Sequence, residues 1–234
     1  VDTTLHGAAD VGDEPLLLAA AAPAWIARDR IAGARAGIAA GAQVIIMDDG
    51  FQNPSLGKDL SLLVIDGAYG LGNGRVHPAG PLRETAALGL ARADGVVVVQ
   101  SGEPPAPLPN FAEPPLTARL IPNDEALALR GCRAVAFAGI GRPERFFYTV
   151  RELGLELVAQ QAFADHHAFR EDEIWRLLEM AQRLNARLVT TAKDAVRLPP
   201  EARAMVTVVD VALVFDDPDD LGRFLDPIVR LAAS

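Results

Sequence analysis

The stretch RAVAFAGIGRPERFFYTVRELG, residues 133–154, reads as a strand, a glycine-containing turn and a helix in succession. Residues 133–138 form a short apolar run of the kind a sheet buries on both faces, and Gly139 and Gly141 interrupt it. Residues 143–154 carry apolar side chains on a helical spacing, and Gly154 closes the pattern. A strand followed by a crossover helix is the unit of a parallel sheet.

The same alternation recurs on either side. Strands are expected at 44–47, 60–65, 95–99, 187–190 and 205–214. Helices are expected at 23–41 and 171–185, the second with Ile174, Leu177, Leu178, Ala181 and Leu184 on one face. The fold class is therefore α/β. The segment SGEPPAPLPNFAEPP, residues 101–115, holds six prolines in fifteen residues and reads as a linker, because proline removes backbone donors that a central strand or a helix interior needs. The expected organisation is a core lobe over 1–100, a proline-rich linker over 101–117, a second, smaller α/β lobe over 118–215, and a helix over 216–234 that packs back on a lobe.

Composition narrows the function. Among 234 residues, half are hydrophobic, and 31 Asp and Glu outweigh 22 Lys and Arg for a formal charge of −9. That balance opposes broad nucleic-acid binding, which requires a basic face, so an anionic ligand needs a local basic pocket. No apolar run approaches the roughly 20 residues of a membrane-spanning helix. The single Cys132 excludes an intrachain disulfide. The chain opens on Val1 rather than Met, and a truncated N-terminus is expected.

Several constellations carry possible chemistry. AQVIIMDDG, residues 42–50, reads as an apolar strand delivering Asp48 and Asp49 to its C-terminal end, where ligands of open α/β sheets sit. Two carboxylates there suit Mg²⁺, and they suit a plain acidic turn equally well. Asp13 and Glu14 in VGDEP read as helix-terminal acids or as an acidic site. Asp165, His166 and His167 suggest a proton relay or a surface turn, and the absence of regular Cys or His spacing argues against zinc. The loop GNGRVHPAGPLRE, residues 72–84, combines backbone freedom with Arg83 and Glu84. TTAKDAVRLP, residues 190–199, reads as an anion-binding turn or a capped helix start. Arg28, Arg30 and Arg35 gather on one expected helix and form a solvated basic face or a contact for phosphate or anionic lipid.

Taken in order, VGDEPLLLA, DDGFQNPSLGKDLSLLVID, GLGNGRVHPAGPLRE, GIGRPERFF, FADHHAF and TTAKDAVRLP resemble the tetraacyldisaccharide 4′-kinases of bacterial lipid A biosynthesis. The resemblance implies a P-loop-kinase-like parallel sheet flanked by helices. It also implies transfer of the ATP γ-phosphate, with Mg²⁺, to the 4′-hydroxyl of an acylated glucosamine disaccharide lipid. The implied partners are ATP, that lipid and the inner-membrane surface, on whose cytoplasmic face the protein would be peripheral, with no nucleic acid.

Position by position, the resemblance makes Asp48 and Asp49 the Mg²⁺ pair, Asp13 the catalytic base, His166 its partner and Arg83 the charge-stabilising arginine. Glu14, Gln52, Asn73 and Glu84 fall in the same motifs as substrate- or nucleotide-site candidates. Asp13 and His166 are expected to face one another across a cleft between the lobes. The family's G-x-x-x-x-G-K-[ST] motif lies upstream of VGDEP and has no counterpart in these residues, so the stretch alone is expected to be weakly active or inactive. Asn53, His77 and Ala192 stand where the family usually has His, Leu and Glu. The rival readings are another Mg²⁺-dependent P-loop-type NTPase or kinase and a noncatalytic α/β binding protein.

Overall fold

The structure, a computed structural model, describes residues 1–100 and 104–233. It divides into two compact units, one of Val1–Ile26 with Pro122–Ala212 and one of Ala27–Ile121 with Leu213–Ser234. The first 26 residues therefore group with the later part of the chain, whereas the sequence assigns them to a lobe over 1–100. The cause is local packing, since the helix Asp13–Ala21 lies against the short helix Ala192–Ala195 and buries Leu16.

Among the described residues eight strands form two sheets: β1 Leu62–Asp66, β2 Gly95–Gln100, β3 Leu116–Pro122, β4 Arg133–Ala138, β5 Glu156–Ala162, β6 Arg187–Thr191, β7 Thr207–Val209 and β8 Val211–Phe215. The first unit holds the sheet β5-β4-β6-β7, in which every neighbouring pair is parallel. Its central strand explains its own sequence. Ala134, Ala136 and Ala138 pack with Phe146, Phe147 and Val150 of the helix Pro143–Glu152. The alternate residues Val135 and Phe137 pack with Ile174, Leu177 and Ala181 of the helix Glu171–Arg183. Because side chains alternate across a strand, a run that is apolar throughout covers both faces. The C-terminal ends of β4, β5 and β6 consequently open on one edge.

The second unit holds the sheet β1-β2-β3-β8, with β1, β2 and β3 parallel. Its core is small, centred on Val97, Val99 and Ala118. The terminal helix Pro218–Ala232 sets the ring of Phe224 over Gly95, where a Cβ would stand 2.6 Å from the ring.

Three sequence expectations need correction. Residues 44–47 form no strand; they run without regular structure, and Ile46 is 91% exposed. A parallel strand is stabilised by neighbours on its ladder and cover on both faces, and among the described residues none pairs with this run. The single strand expected at 205–214 is two strands in different sheets, broken at Asp210, whose side chain accepts the Val211 N–H and so competes with the ladder. The expected helix at 23–41 is confined to Arg30–Ala39, where Asp29 caps the N–H groups of Ile31 and Ala32. Of the proline-rich segment, residues 101–103 lie outside the described residues, and 104–115 carry no helix or strand.

Candidate active site

Asp13 opens the helix Asp13–Ala21. The chain enters this helix through Gly12 at φ +88°, a conformation that glycine adopts without steric penalty. The Asp13 residue is 7% exposed, and its Oδ2 is buried without a hydrogen-bond partner. Cationic or potentially cationic side chains surround that oxygen: His166 Nδ1 at 3.3 Å, Arg197 Nε at 3.5 Å and Lys193 Nζ at 3.9 Å. These ion pairs balance the charge of the oxygen while leaving it free to accept a hydrogen bond from a further donor. Glu14, more exposed, takes Lys193 Nζ at 2.8 Å.

His166 belongs to the same unit as Asp13, so the pair does not face across an inter-lobe cleft as expected; it forms where the β5 loop meets the N-terminal helix. The His166 backbone lies in the left-handed region at φ +56°, which costs roughly 1–2 kcal/mol for a residue with a Cβ. Its N–H donates to Gly139 O and to Asp165 Oδ1, both at 3.0 Å, which secures the turn. The two histidines of the motif divide their work. His166 is exposed enough to meet a ligand, whereas His167 stacks on Phe163, meets Phe169 edge-on and bonds Glu173 at 2.9 Å.

Glu173 also accepts the Arg170 N–H at the start of its helix. The Arg170 N–H and His167 together hold its carboxyl below the ordinary value of 4.5. The resulting stability is present above that ordinary value and fades as pH falls through the lowered one. Glu173→Gln should therefore melt below wild type at neutral pH, with the gap closing under acid conditions. A gap that widens on acidification contradicts this assignment.

The second unit carries the DDGFQ and PLRE residues. Asp48 and Asp49 occupy an exposed turn, Asp49 at φ +47°, and do not stand at a sheet edge as expected, because residues 44–47 form no strand. Arg83 Nη1 straddles both oxygens of Asp49 at 2.7 and 2.8 Å. Both side chains are more than 60% exposed, so the pair is worth at most about 1 kcal/mol and separates readily. Among the described residues no group of three or more His, Cys, Asp or Glu is arranged to hold a metal ion. The donor types nevertheless fit Mg²⁺, which commonly takes one or two carboxylates and completes its shell with waters and phosphate oxygens.

Gln52 and Glu84 are structural partners here. Gln52 donates to Glu84 at 3.0 Å, and Arg92 pairs with the same Glu84 oxygen while stacking on Phe51. Asn73 likewise braces its own loop, donating to Ala79 O and accepting the Arg75 N–H. A cavity of about 320 Å³ beside β1 is lined by Gln52, Asp66, Tyr69, Arg83 and Glu84 among apolar neighbours. The loop before Arg83 is tightly built: a Cβ at Gly80 would stand 2.4 Å from Arg75 O and 2.1 Å from Asn73 Oδ1. Gly80→Ala should lower stability by about 1–3 kcal/mol, read as a reduced melting temperature, because a backbone carbonyl cannot step aside. An unchanged melting curve would show that the loop is loose.

The sequence reading put Lys193 and Arg197 in a possible anion-binding turn but did not connect either to Asp13, and it assigned Asp194 no role. TTAKDAVRLP does start a capped turn, Thr191 accepting the Asp194 N–H, but its cations also reach Asp13. The available signal was the Asp194 and Arg197 spacing of three, which favours a pair on a helical turn.

A family model described as tetraacyldisaccharide-1-P 4′-kinase matches residues 1–230. The tetraacyldisaccharide 4′-kinase of Rhodospirillum centenum is 55% identical over 231 residues, covering 98% of this chain and 68% of that protein. The protein of the same name from Rhodospirillum rubrum is 52% identical over 234 residues, covering 98% and 71%. A crystal structure of LpxK from Aquifex aeolicus, described as an "apo" form in complex with ATP, superposes with a TM-score of 0.66 at 23% identity, covering 96% of this chain and 71% of that one. At that identity the likeness speaks to the fold.

Proposed function

We propose, for a chain that belongs to the tetraacyldisaccharide 4′-kinase family, that it transfers the γ-phosphoryl group of ATP to the 4′-hydroxyl of a tetraacylated glucosamine disaccharide 1-phosphate, with Asp13 as proton acceptor. The observation that carries this reading is the buried, unbonded Oδ2 of Asp13 beside His166. A sugar hydroxyl is the donor that oxygen lacks. As the hydroxyl oxygen attacks the γ-phosphorus and the bond to ADP breaks, its proton passes to Asp13. His166 orients and balances the carboxylate.

Arg83 is the proposed stabiliser of phosphoryl charge, a role supported by the weakness of its exposed pair with Asp49. Asp48 and Asp49 would hold Mg²⁺, which supplies charge neutralisation at the phosphates when bound. Glu14 tethers Lys193, and Gln52, Asn73 and Glu84 act by bracing the loops that carry Asp49 and Arg83. Because the acceptor is a lipid, the reaction belongs at the cytoplasmic face of the inner membrane. No helix among the described residues is long and apolar enough to cross it.

The test is transfer of label from [γ-³²P]ATP to tetraacyldisaccharide 1-phosphate in Mg²⁺ and detergent, using the full-length chain. Label in a lipid bisphosphate supports the reading. Label released only as inorganic phosphate, or transferred to a different acceptor, overturns it.

A further inference from the structure

The C-terminal edge of the first unit's sheet is fastened by a buried ion pair from the TTAKDAVRLP segment, to which the proposed chemistry gives no role. Asp194 is fully buried and the Arg197 side chain is 6% exposed, with Arg197 Nη2 3.0 Å from Asp194 Oδ1. Asp194 accepts the Gly139 N–H at 2.9 Å from the end of β4 and the Thr191 hydroxyl at 2.6 Å from the end of β6. Arg197 donates from Nη1 to Gly139 O at 2.9 Å and from Nε to Lys193 O at 3.1 Å, and its Nη1 lies 3.4 Å from His167 O beyond β5. The same Nε stands 3.5 Å from Asp13 Oδ2. Gly139 sits at the focus: a Cβ there would come within 3.3 Å of Ala164 O and the His167 Cβ in the loop after β5 and of Asp194 Oδ1 after β6.

We infer that Arg197 is a positioning residue for phosphoryl transfer: its guanidinium locks the loops after β4, β5 and β6 together and so fixes His166 against Asp13. The inference rests on the reading of Asp13 as the proton acceptor. The fork matters as much as the charge. Lysine presents one flexible point charge and cannot bond Gly139 O, Asp194 and the Lys193 carbonyl at once, so Arg197→Lys keeps the charge and loses the lock. A reacting group displaced by about 1 Å costs on the order of 10²-fold in rate.

The experiment measures kcat, the KM for ATP and the melting temperature for Arg197→Lys, Asp13→Asn and the double variant of the full-length chain, well below every melting point. Arg197→Lys should lower kcat roughly 10- to 100-fold with the KM for ATP unchanged. In the Asp13→Asn background the same substitution should change kcat less than about threefold, because nothing is left to position. A role confined to stability predicts a lowered melting temperature with kcat near wild type at low temperature, and that result overturns the inference. Equal losses in both backgrounds overturn it as well. Full activity of Asp13→Asn itself would instead remove the proton-acceptor reading, so the two failures are distinguishable. If Arg197→Lys does not fold, Arg197→Gln with the same cycle takes its place.

Discussion

Asp13→Asn should lower kcat about 10²- to 10⁴-fold while leaving the KM for ATP nearly unchanged, the scale expected when a general base is lost. Asparagine preserves the shape of a nearly buried side chain, so packing around Leu16 stays intact and the measured loss belongs to proton acceptance. The positive groups around the site keep other counter-charges, Arg197 with Asp194 and Lys193 with Glu14, which limits the structural damage. Steady-state kinetics with tetraacyldisaccharide 1-phosphate read the effect directly. A loss appearing in the KM for ATP rather than in kcat would make Asp13 a nucleotide contact.

Asp194→Ala should produce the largest loss of stability. It leaves the Arg197 guanidinium buried without its carboxylate and at the same time removes the acceptor for the Gly139 N–H and the Thr191 hydroxyl. Removing one partner of a buried ion pair costs about 3–5 kcal/mol. In a chain of this size that is a fall in melting temperature of roughly 10 °C. A double substitution that replaces both partners with apolar residues should recover part of the loss, since the penalty lies mainly in the abandoned charge. A melting temperature within a degree or two of wild type for Asp194→Ala would mean that Asp13, 3.5 Å from Arg197 Nε, balances the buried guanidinium unaided.

The parts of the fold legible in the sequence are those whose patterns are local. Residues 133–138 are apolar on both faces because β4 is central, and the helices Pro143–Glu152 and Glu171–Arg183 announce themselves by periodicity. Strands β3 and β5 were not legible: β3 follows a proline-rich segment and ends in Pro122, and β5 carries Gln160 and Gln161 with no residue fully buried. Conversely, residues 44–47 have every local mark of a strand and no ladder partner among the described residues, and pairing is a property of the surroundings.

The site divides in the same way. Asp13, His166, Asp48, Asp49 and Arg83 came from motifs, and their order along the chain carried the resemblance. That Asp13 would meet Lys193 and Arg197, some 180 residues later, is a tertiary fact with no local signature. The roles of Gln52, Asn73 and Glu84 as braces also emerge only from their hydrogen bonds.

The central claim, that Asp13 and His166 act as one unit in accepting the proton, is tested most directly by a double-mutant cycle in single-turnover phosphoryl transfer. Asp13→Asn, His166→Ala and the double variant are compared with wild type at saturating ATP. His166→Ala alone should slow transfer less than Asp13→Asn, and the double variant should be about as slow as Asp13→Asn alone. Losses that multiply in full across the two substitutions would contradict the account, because residues acting independently have no shared proton to lose.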